Sequence, residues 1–174
     1  LAPFSWTMGN IERQVPSIAD HRMVFPNSFD AERFIIQKKS TGLLNQYQFH
    51  GAKIILTICR MSKADGENKG YRRVIQAMPS VIKKIPEAKY LLVGGGDDVE
   101  DAKKLAKELR VADQVVFAGP AKNEEMVEYY NLADVFVLPS KKEGFPAIVL
   151  LESLACGVPV LGGDQPGSEI PPWN

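Results

Sequence analysis

The sequence has no run of about 18 or more consecutive apolar residues, the length a membrane-spanning helix needs. It has no surplus charge of either sign: 21 Lys+Arg stand against 21 Asp+Glu, a formal net charge of zero. A domain that lives on a nucleic-acid backbone usually carries a basic excess, so nucleic acid is not an expected partner. Only two cysteines, Cys59 and Cys156, and two histidines, His21 and His50, are present. There is no CxxC pair, which argues against a structural zinc site, and both thiols read as buried and reduced. The histidines fall outside the regular part of the chain and read as surface residues. Leu1 to Gly9 is short, carries no basic residue and includes Pro3, so it does not read as a signal peptide. With Leu rather than Met at position 1, the chain is expected to be a fragment. Its expected location is cytoplasmic, with peripheral contact at the inner membrane face left open.

What is present is the composition of an ordinary globular domain: 174 residues, 45% hydrophobic and 24% charged. From Lys53 onward, apolar runs of strand length alternate with amphipathic runs of helix length. Strands are predicted at Lys53 to Cys59, Tyr90 to Val93, Gln114 to Phe117, Val135 to Leu138 and from Pro159 to Leu161. Helices are predicted at Gly70 to Ile85, Val99 to Leu109, Asn123 to Asn131 and Pro146 to Cys156. In the first helix Tyr71, Val74, Ile75, Met78, Val81, Ile82 and Ile85 share one face, and Pro79 is expected to kink or divide it. Asn123 is a candidate N-cap, and Pro146 suits a first turn. Strands joined by helices imply an α/β fold, a Rossmann-like doubly wound parallel sheet with helices on both faces. The strand runs are apolar throughout, as in a sheet buried on both sides.

Residues 1–50 differ. Leu1 to Phe4 reads as the end of a strand, Asn10 to Ile18 as a short helix and Phe25-Pro26-Asn27 as a turn. Gln37 to Gln48 reads as polar and irregular. This stretch cannot form a core alone, and is expected to be an incoming segment that packs on a main domain running from residue 51 to residue 174.

Ligands of an open α/β sheet bind outside the carboxyl ends of its strands. The residues that follow each strand are therefore the informative ones. They are Arg60, then Lys69-Gly70 at a helix start; Gly94, Gly95 and Gly96; Gly119 and Pro120; Ser140, Glu143 and Gly144; and Gly162 and Gly163. One rim thus collects two cations, a carboxylate and several glycines, which admit close approach of backbone to a ligand. A helix beginning near Pro146 offers free N–H groups to an anion. Each piece alone is common loop or surface chemistry; their coincidence on one rim points to a diphosphate. Glu152 lies on the apolar face of the last helix, where a carboxylate without partners is costly. Either it sits at the edge of the stripe and reaches water, or it accepts hydrogen bonds from ligand hydroxyls. Asp97-Asp98 superficially looks like a metal-binding pair, but a helix-start role is expected because Val99 opens a helix.

Two segments, Lys142-Glu143-Gly144-Phe145-Pro146 and Leu151-Glu152-Ser153-Leu154-Ala155-Cys156-Gly157-Val158-Pro159-Val160, together resemble the signature of retaining GT-B glycosyltransferases of family 4, the glycosyl transferases group 1. Cys59-Arg60-Met61-Ser62 with Lys69-Gly70 is similar to that family's phosphate-binding segment. Leu91 to Gly94, Val116 to Gly119 and Ala133 to Ser140 resemble its strand ends, and Phe25 to Phe34 resembles the hinge before its second domain. The resemblance implies one half of a GT-B fold that binds a UDP-, GDP- or ADP-sugar without a metal or other cofactor. It implies that Arg60 and Lys69 hold the diphosphate and stabilise the departing charge, and that Glu143 sits by the donor sugar. The backbone at Gly144, Phe145 and Pro146 would contact sugar or phosphate, and Glu152 would hold the ribose. Gly94, Gly95, Phe117 and Gly119 would flank the base. The implied partners are the chain's own N-terminal acceptor domain and an acceptor glycan, lipid or small molecule; the fragment alone is expected to transfer nothing.

Three features depart from the family pattern. Glu143 and Glu152 enclose eight residues, one more than is usual, and one residue turns a helix by about 100°. The loop from Met61 to Asn68 is longer than the simplest form, and Ser28 stands where Gly is common. A dinucleotide-binding oxidoreductase would need G-x-G-x-x-G after the first strand, where Arg60-Met61-Ser62 stands instead. A non-catalytic nucleotide- or partner-binding module with the same fold remains the alternative.

Overall fold

Five apolar runs form one sheet, whose inner strands are buried by helical segments on both sides while Leu161 in the last run stays exposed. The computed structural model describes residues 13–15, 28–64, 66–141, 143 and 147–163. In chain order the elements are α1 (Thr41–Tyr47), β1 (Lys53–Ile58), the single turn α2 (Gly66–Lys69), α3 (Tyr71–Lys84), β2 (Ala88–Val93) and α4 (Val99–Glu108). There follow β3 (Val115–Gly119), a 3-10 turn (Asn123–Glu125), α5 (Met126–Leu132), β4 (Val135–Leu138), α6 (Ile148–Ala155) and β5 (Val160–Gly162). The sheet order is β3-β2-β1-β4-β5, and every pairing is parallel. The doubly wound α/β reading is therefore correct.

Side chains of a strand alternate between faces, and β2 shows the consequence. Leu91 and Val93 join a core with Ile54, Leu56, Phe136 and Tyr130 under α5 and α6. Tyr90 and Leu92 join a second core with Tyr71, Ile75, Met78 and Ala102 under α3 and α4. Both faces are covered, which is why the strands carry no polar alternation.

The α3 stripe buries Tyr71, Val74, Ile75 and Met78. Pro79 lies inside this helix without dividing it, so of the expected kink or division the second does not occur. An interior proline costs about 3 kcal/mol; four buried side chains at about 1.5–3 kcal/mol each outweigh it. Ile85, expected on the buried stripe, caps the helix and is exposed. Asn123 falls within the 3-10 turn rather than capping α5, and the Glu125 carboxylate accepts the Lys122 N–H at 2.9 Å.

The segment before β1 is more ordered than its polarity suggested. Gln37 to Gln48 is not irregular: Thr41–Tyr47 is helical, Ser40 Oγ accepts the Leu43 N–H at 3.5 Å, and Gln48 ends the helix in the left-handed region. The Tyr47 and Tyr129 hydroxyls meet at 3.0 Å, and Phe34 and Phe49 enter the core. Asn131 straps the segment to α5, accepting the Gln37 N–H at 2.6 Å and donating to the Ile35 carbonyl at 3.0 Å. His50 is exposed, as expected, beside Asn45. Arg13 and Gln14 are helical; the expected strand at Leu1 to Phe4, the remainder of the Asn10 to Ile18 helix, the turn at Phe25 to Asn27 and His21 lie outside the described residues.

Beyond the strand ends, the loop after β2 lies directly on the loop after β1. Gly94 has φ +130°, and a Cβ there would stand 2.0 Å from the Cys59 carbonyl oxygen; Gly96 has φ +148°, and its Cβ would stand 2.0 Å from the Met61 carbonyl. The Met61 N–H donates to Gly95 at 2.8 Å, and the Asp98 N–H donates to Met61 at 3.0 Å. Gly119 also has positive φ, +77°, but open space around it. Gly94→Ala and Gly96→Ala are therefore expected to cost about 3 kcal/mol each through backbone overlap, and Gly119→Ala about 1 kcal/mol from conformation alone. Urea midpoints of the three variants test this; equal losses at all three positions would refute the contact as the cause.

Candidate functional site

The sheet order reverses between β1 and β4: the chain winds outward through β2 and β3, then crosses back to β4 and β5. The loops leaving β1 and β4 diverge there and open a crevice. Two lobes occupy it. One, of about 530 Å³, lies over β1 and β2 and is lined by Arg60, Gly94 to Gly96, Pro120, Ala121 and Met126. The other, of about 450 Å³, lies toward β4 and is lined by Arg60, Lys69, Leu138, Glu143 and Ala147 to Val149. Ile58, Cys59, Arg60 and Val149 line both. They form one trough with Arg60 at its middle.

Backbone docking brings the distant pieces together. The Lys141 N–H donates to the Asn68 carbonyl at 2.7 Å, and the Arg73 guanidinium donates to the Pro139 carbonyl. The loop after β4 is thereby fixed against α2, and Lys69 Nζ meets Glu143 Oε1 at 2.8 Å with both side chains mostly buried. At the opposite wall α6 starts at Ile148. Its N-cap residue, Ala147, makes no side-chain cap bond, and because Ala147, Ile148 and Val149 line the lobe the positive end of the helix borders it. This half of the trough is suited to an anion; the half under Gly94 to Gly96 has Arg60 as the one charged residue among its described lining.

Of the residues singled out in the sequence, Arg60, Lys69, Glu143, Gly94 and Gly95 line the trough. Phe117 and Gly119 do not: they lie in β3, where Phe117 packs into the core under α3 and α4. Pro120, Ala121 and Met126 take that wall instead. The strand-end rule reached Pro120; no sequence signal marked Met126, which enters from the start of α5. Glu152 stands one turn beyond Val149 in α6, half-buried, and its Oε2 accepts the Tyr130 hydroxyl at 2.6 Å. Gly144, Phe145 and Pro146 lie outside the described residues.

Residues 40–169 match the family of glycosyl transferases group 1. The chain belongs to that family. It is 37% identical over 150 residues to the GDP-mannose-dependent alpha-(1-6)-phosphatidylinositol monomannoside mannosyltransferase of Mycobacterium tuberculosis, covering 82% of this chain and 38% of that one. It is 33% identical over 150 residues to the N-acetyl-alpha-D-glucosaminyl L-malate synthase of Bacillus anthracis, covering 82% and 37%. The chain thus spans under two fifths of either relative. Its fold superposes on HepE of Anabaena, solved with UDP, with a TM-score of 0.77 at 20% identity over 96% of this chain and 45% of that one. This is one half of a GT-B glycosyltransferase fold.

Behind the trough, Asp97-Asp98 stands at the start of α4, as expected, with Asp98 its N-cap residue, although the Asp98 side chain makes no cap bond. No cluster of metal-ligating side chains occurs among the described residues. The Asp98 carboxylate, almost fully buried, accepts from Tyr71 Oη and from the Arg72 guanidinium, and Asp97 Oδ1 accepts the Lys63 N–H at 2.8 Å. Arg72 holds the Asp98 carboxyl below the usual carboxylate range. Burial, and then Asp98, push the Tyr71 phenol upward. These bonds anchor the loop that carries Arg60.

Two outcomes follow from these contacts. Because the folded Asp98 pKa lies below the unfolded value, the pair's contribution is complete above about pH 4 and lost as pH falls through the folded value. Asp98→Asn should cost about 2 kcal/mol at pH 7, less than a fully buried pair because Arg72 is a third exposed, and the loss should shrink in acid; a pH-independent difference in urea stability would contradict this. Separately, Glu143→Gln removes the carboxylate that neutralises Lys69, so inorganic pyrophosphate should bind the variant several-fold more tightly at low salt. Calorimetry with pyrophosphate decides, and weaker binding by the variant would refute the competition.

Proposed function

We propose that the chain is the donor-binding half of a retaining family 4 glycosyltransferase, which moves a sugar from a nucleotide diphosphate sugar to an acceptor. The observation that carries this reading is Arg60 at the centre of a trough with an apolar lobe on one side and Lys69, Glu143 and the α6 N-terminus on the other. A base fits the apolar lobe, a diphosphate the centre, and a hydroxylated sugar the Glu143 side. As the glycosidic bond breaks, negative charge grows on the diphosphate; Arg60, Lys69 and the first-turn amides of α6 stabilise it in place. The side chains present carry this role as fixed cations, so the reading takes the chemistry to run without a metal. Glu152 takes the ribose hydroxyls.

The acceptor site is assigned to a separate N-terminal domain. Relatives include a mannosyltransferase named for a phosphatidylinositol mannoside and an alpha-monoglucosyldiacylglycerol synthase of Streptococcus pneumoniae. No helix among the described residues is long and apolar enough to cross a membrane. A lipid acceptor would then be met by a cytoplasmic enzyme held peripherally at the membrane face.

Calorimetry of the full-length protein with UDP, GDP and ADP, with and without EDTA, tests the reading. One nucleotide should bind at micromolar to low millimolar levels irrespective of chelator. Arg60→Ala should weaken it about 10- to 100-fold, the worth of a charged hydrogen bond, and abolish turnover. Binding of none of the three would refute the donor site; intact turnover in Arg60→Ala would favour the non-catalytic module.

A further inference from the structure

Helices α5 and α6 each reach the trough with their first turn and carry a further residue one turn deeper. Met126 and Val149 line the trough. Tyr130 and Glu152 follow them by four and three residues, so each lies one turn down on the same side of its helix. Those two deeper residues are bonded to each other, Tyr130 Oη donating to Glu152 Oε2 at 2.6 Å. Among the described residues no other side chain donates to that carboxylate.

Tyr130 is itself held by packing. It is fully buried. Its ring meets Phe34 edge-on at 5.8 Å and Phe136 at 5.7 Å. Burial, and then the neighbouring Glu152, push its phenol far above the ordinary range, so the hydroxyl stays a donor. A free carboxylate rotates broadly about its last torsion; one oxygen held by a fixed phenol removes that freedom and leaves the other oxygen available.

We infer that Tyr130 is a positioning residue: its hydroxyl holds Glu152 Oε2 so that Oε1 is presented to the ribose hydroxyls of a nucleoside diphosphate in the trough. Phe34, from the segment before β1, and Phe136, from β4, act through Tyr130 by fixing its ring. This rests on the donor-binding reading and adds to it a part of the molecule outside the trough. A satisfied core phenol would have no effect on how the protein treats a ribose, and that difference makes the role measurable.

The test compares UDP, GDP and ADP with their 2′,3′-dideoxy counterparts in the full-length protein; the affinity ratio reads the ribose contacts alone. Glu152→Gln should collapse the ratio. Tyr130→Phe keeps the ring and should lower the ratio about fivefold while leaving dideoxynucleotide affinity unchanged; added to Glu152→Gln it should lower it no further. If Glu152→Gln leaves the ratio unchanged, or no nucleotide binds the unaltered protein, the ribose reading falls and this inference with it. If Glu152→Gln lowers the ratio and Tyr130→Phe does not, or if Tyr130→Phe weakens both nucleotides equally, the inference alone is overturned. Should Tyr130→Phe fail to fold, Phe34→Leu replaces it: a lowered ratio supports the inference and an unchanged ratio overturns it.

Discussion

The architecture of the trough depends on one close backbone contact, the loop after β2 lying against the loop after β1. Two carbonyls, those of Cys59 and Met61, occupy the space where side chains at 94 and 96 would be. The parallel ladder of β1 and β2 is in effect prolonged past both strands, because Cys59 donates to Val93 and Met61 to Gly95. Arg60 sits between those two donors. Its backbone is therefore fixed by its neighbours on either side, and the residue lines both lobes. The Asp98 network holds the same loop from behind, tying it to the starts of α3 and α4. Loops are usually the mobile part of a fold; here a loop is held by the sheet's own hydrogen bonding carried two residues further.

What the sequence disclosed, and what it hid, follows from whether the deciding forces are local. Strand and helix alternation was legible because burial on both faces leaves long apolar runs, and the rim was legible because parallel strands all point the same way. The helix at Thr41–Tyr47 was missed although Leu43, Leu44 and Tyr47 have the spacing of a stripe; seven residues among polar neighbours give a weak period, and the partner surface on α5 is distant in sequence. Phe117 lies away from the trough because alternation along β3 turns it, with its register partner Leu92, to the face under α3 and α4. Asp98 stands at the helix start that local spacing indicated, but its guanidinium partner Arg72, 26 residues back, lay beyond that view.

The added residue between Glu143 and Glu152 bears on the same distinction. In an unbroken helix one extra residue would rotate everything after it by about 100°. In the structure α6 begins only at Ile148, so the signature's two carboxylates do not share a helix. Glu143 is placed by the loop that docks on α2, through Lys141 and Lys69. Glu152 is placed by the core, through Tyr130. Each carboxylate is thus positioned by tertiary contacts of its own, and spacing along the chain has no direct say in where either one points.

That independence has an electrostatic consequence. The chain is neutral overall, so attraction of an anion relies on local arrangement rather than on a general field. Lys69 and Glu143 neutralise each other while Arg60 stands at the centre of the trough. On the proposed donor-binding reading, an incoming diphosphate would meet Arg60 and the amides of α6 first, and would draw Lys69 only by displacing a carboxylate. A sugar at Glu143 offers hydroxyl donors to that displaced carboxylate. The anion and the sugar therefore favour the same rearrangement of one ion pair, and a donor carrying both groups gains more from it than either group alone. On the proposed donor-binding reading, discrimination between a nucleotide sugar and a bare diphosphate would rest on the Lys69–Glu143 contact.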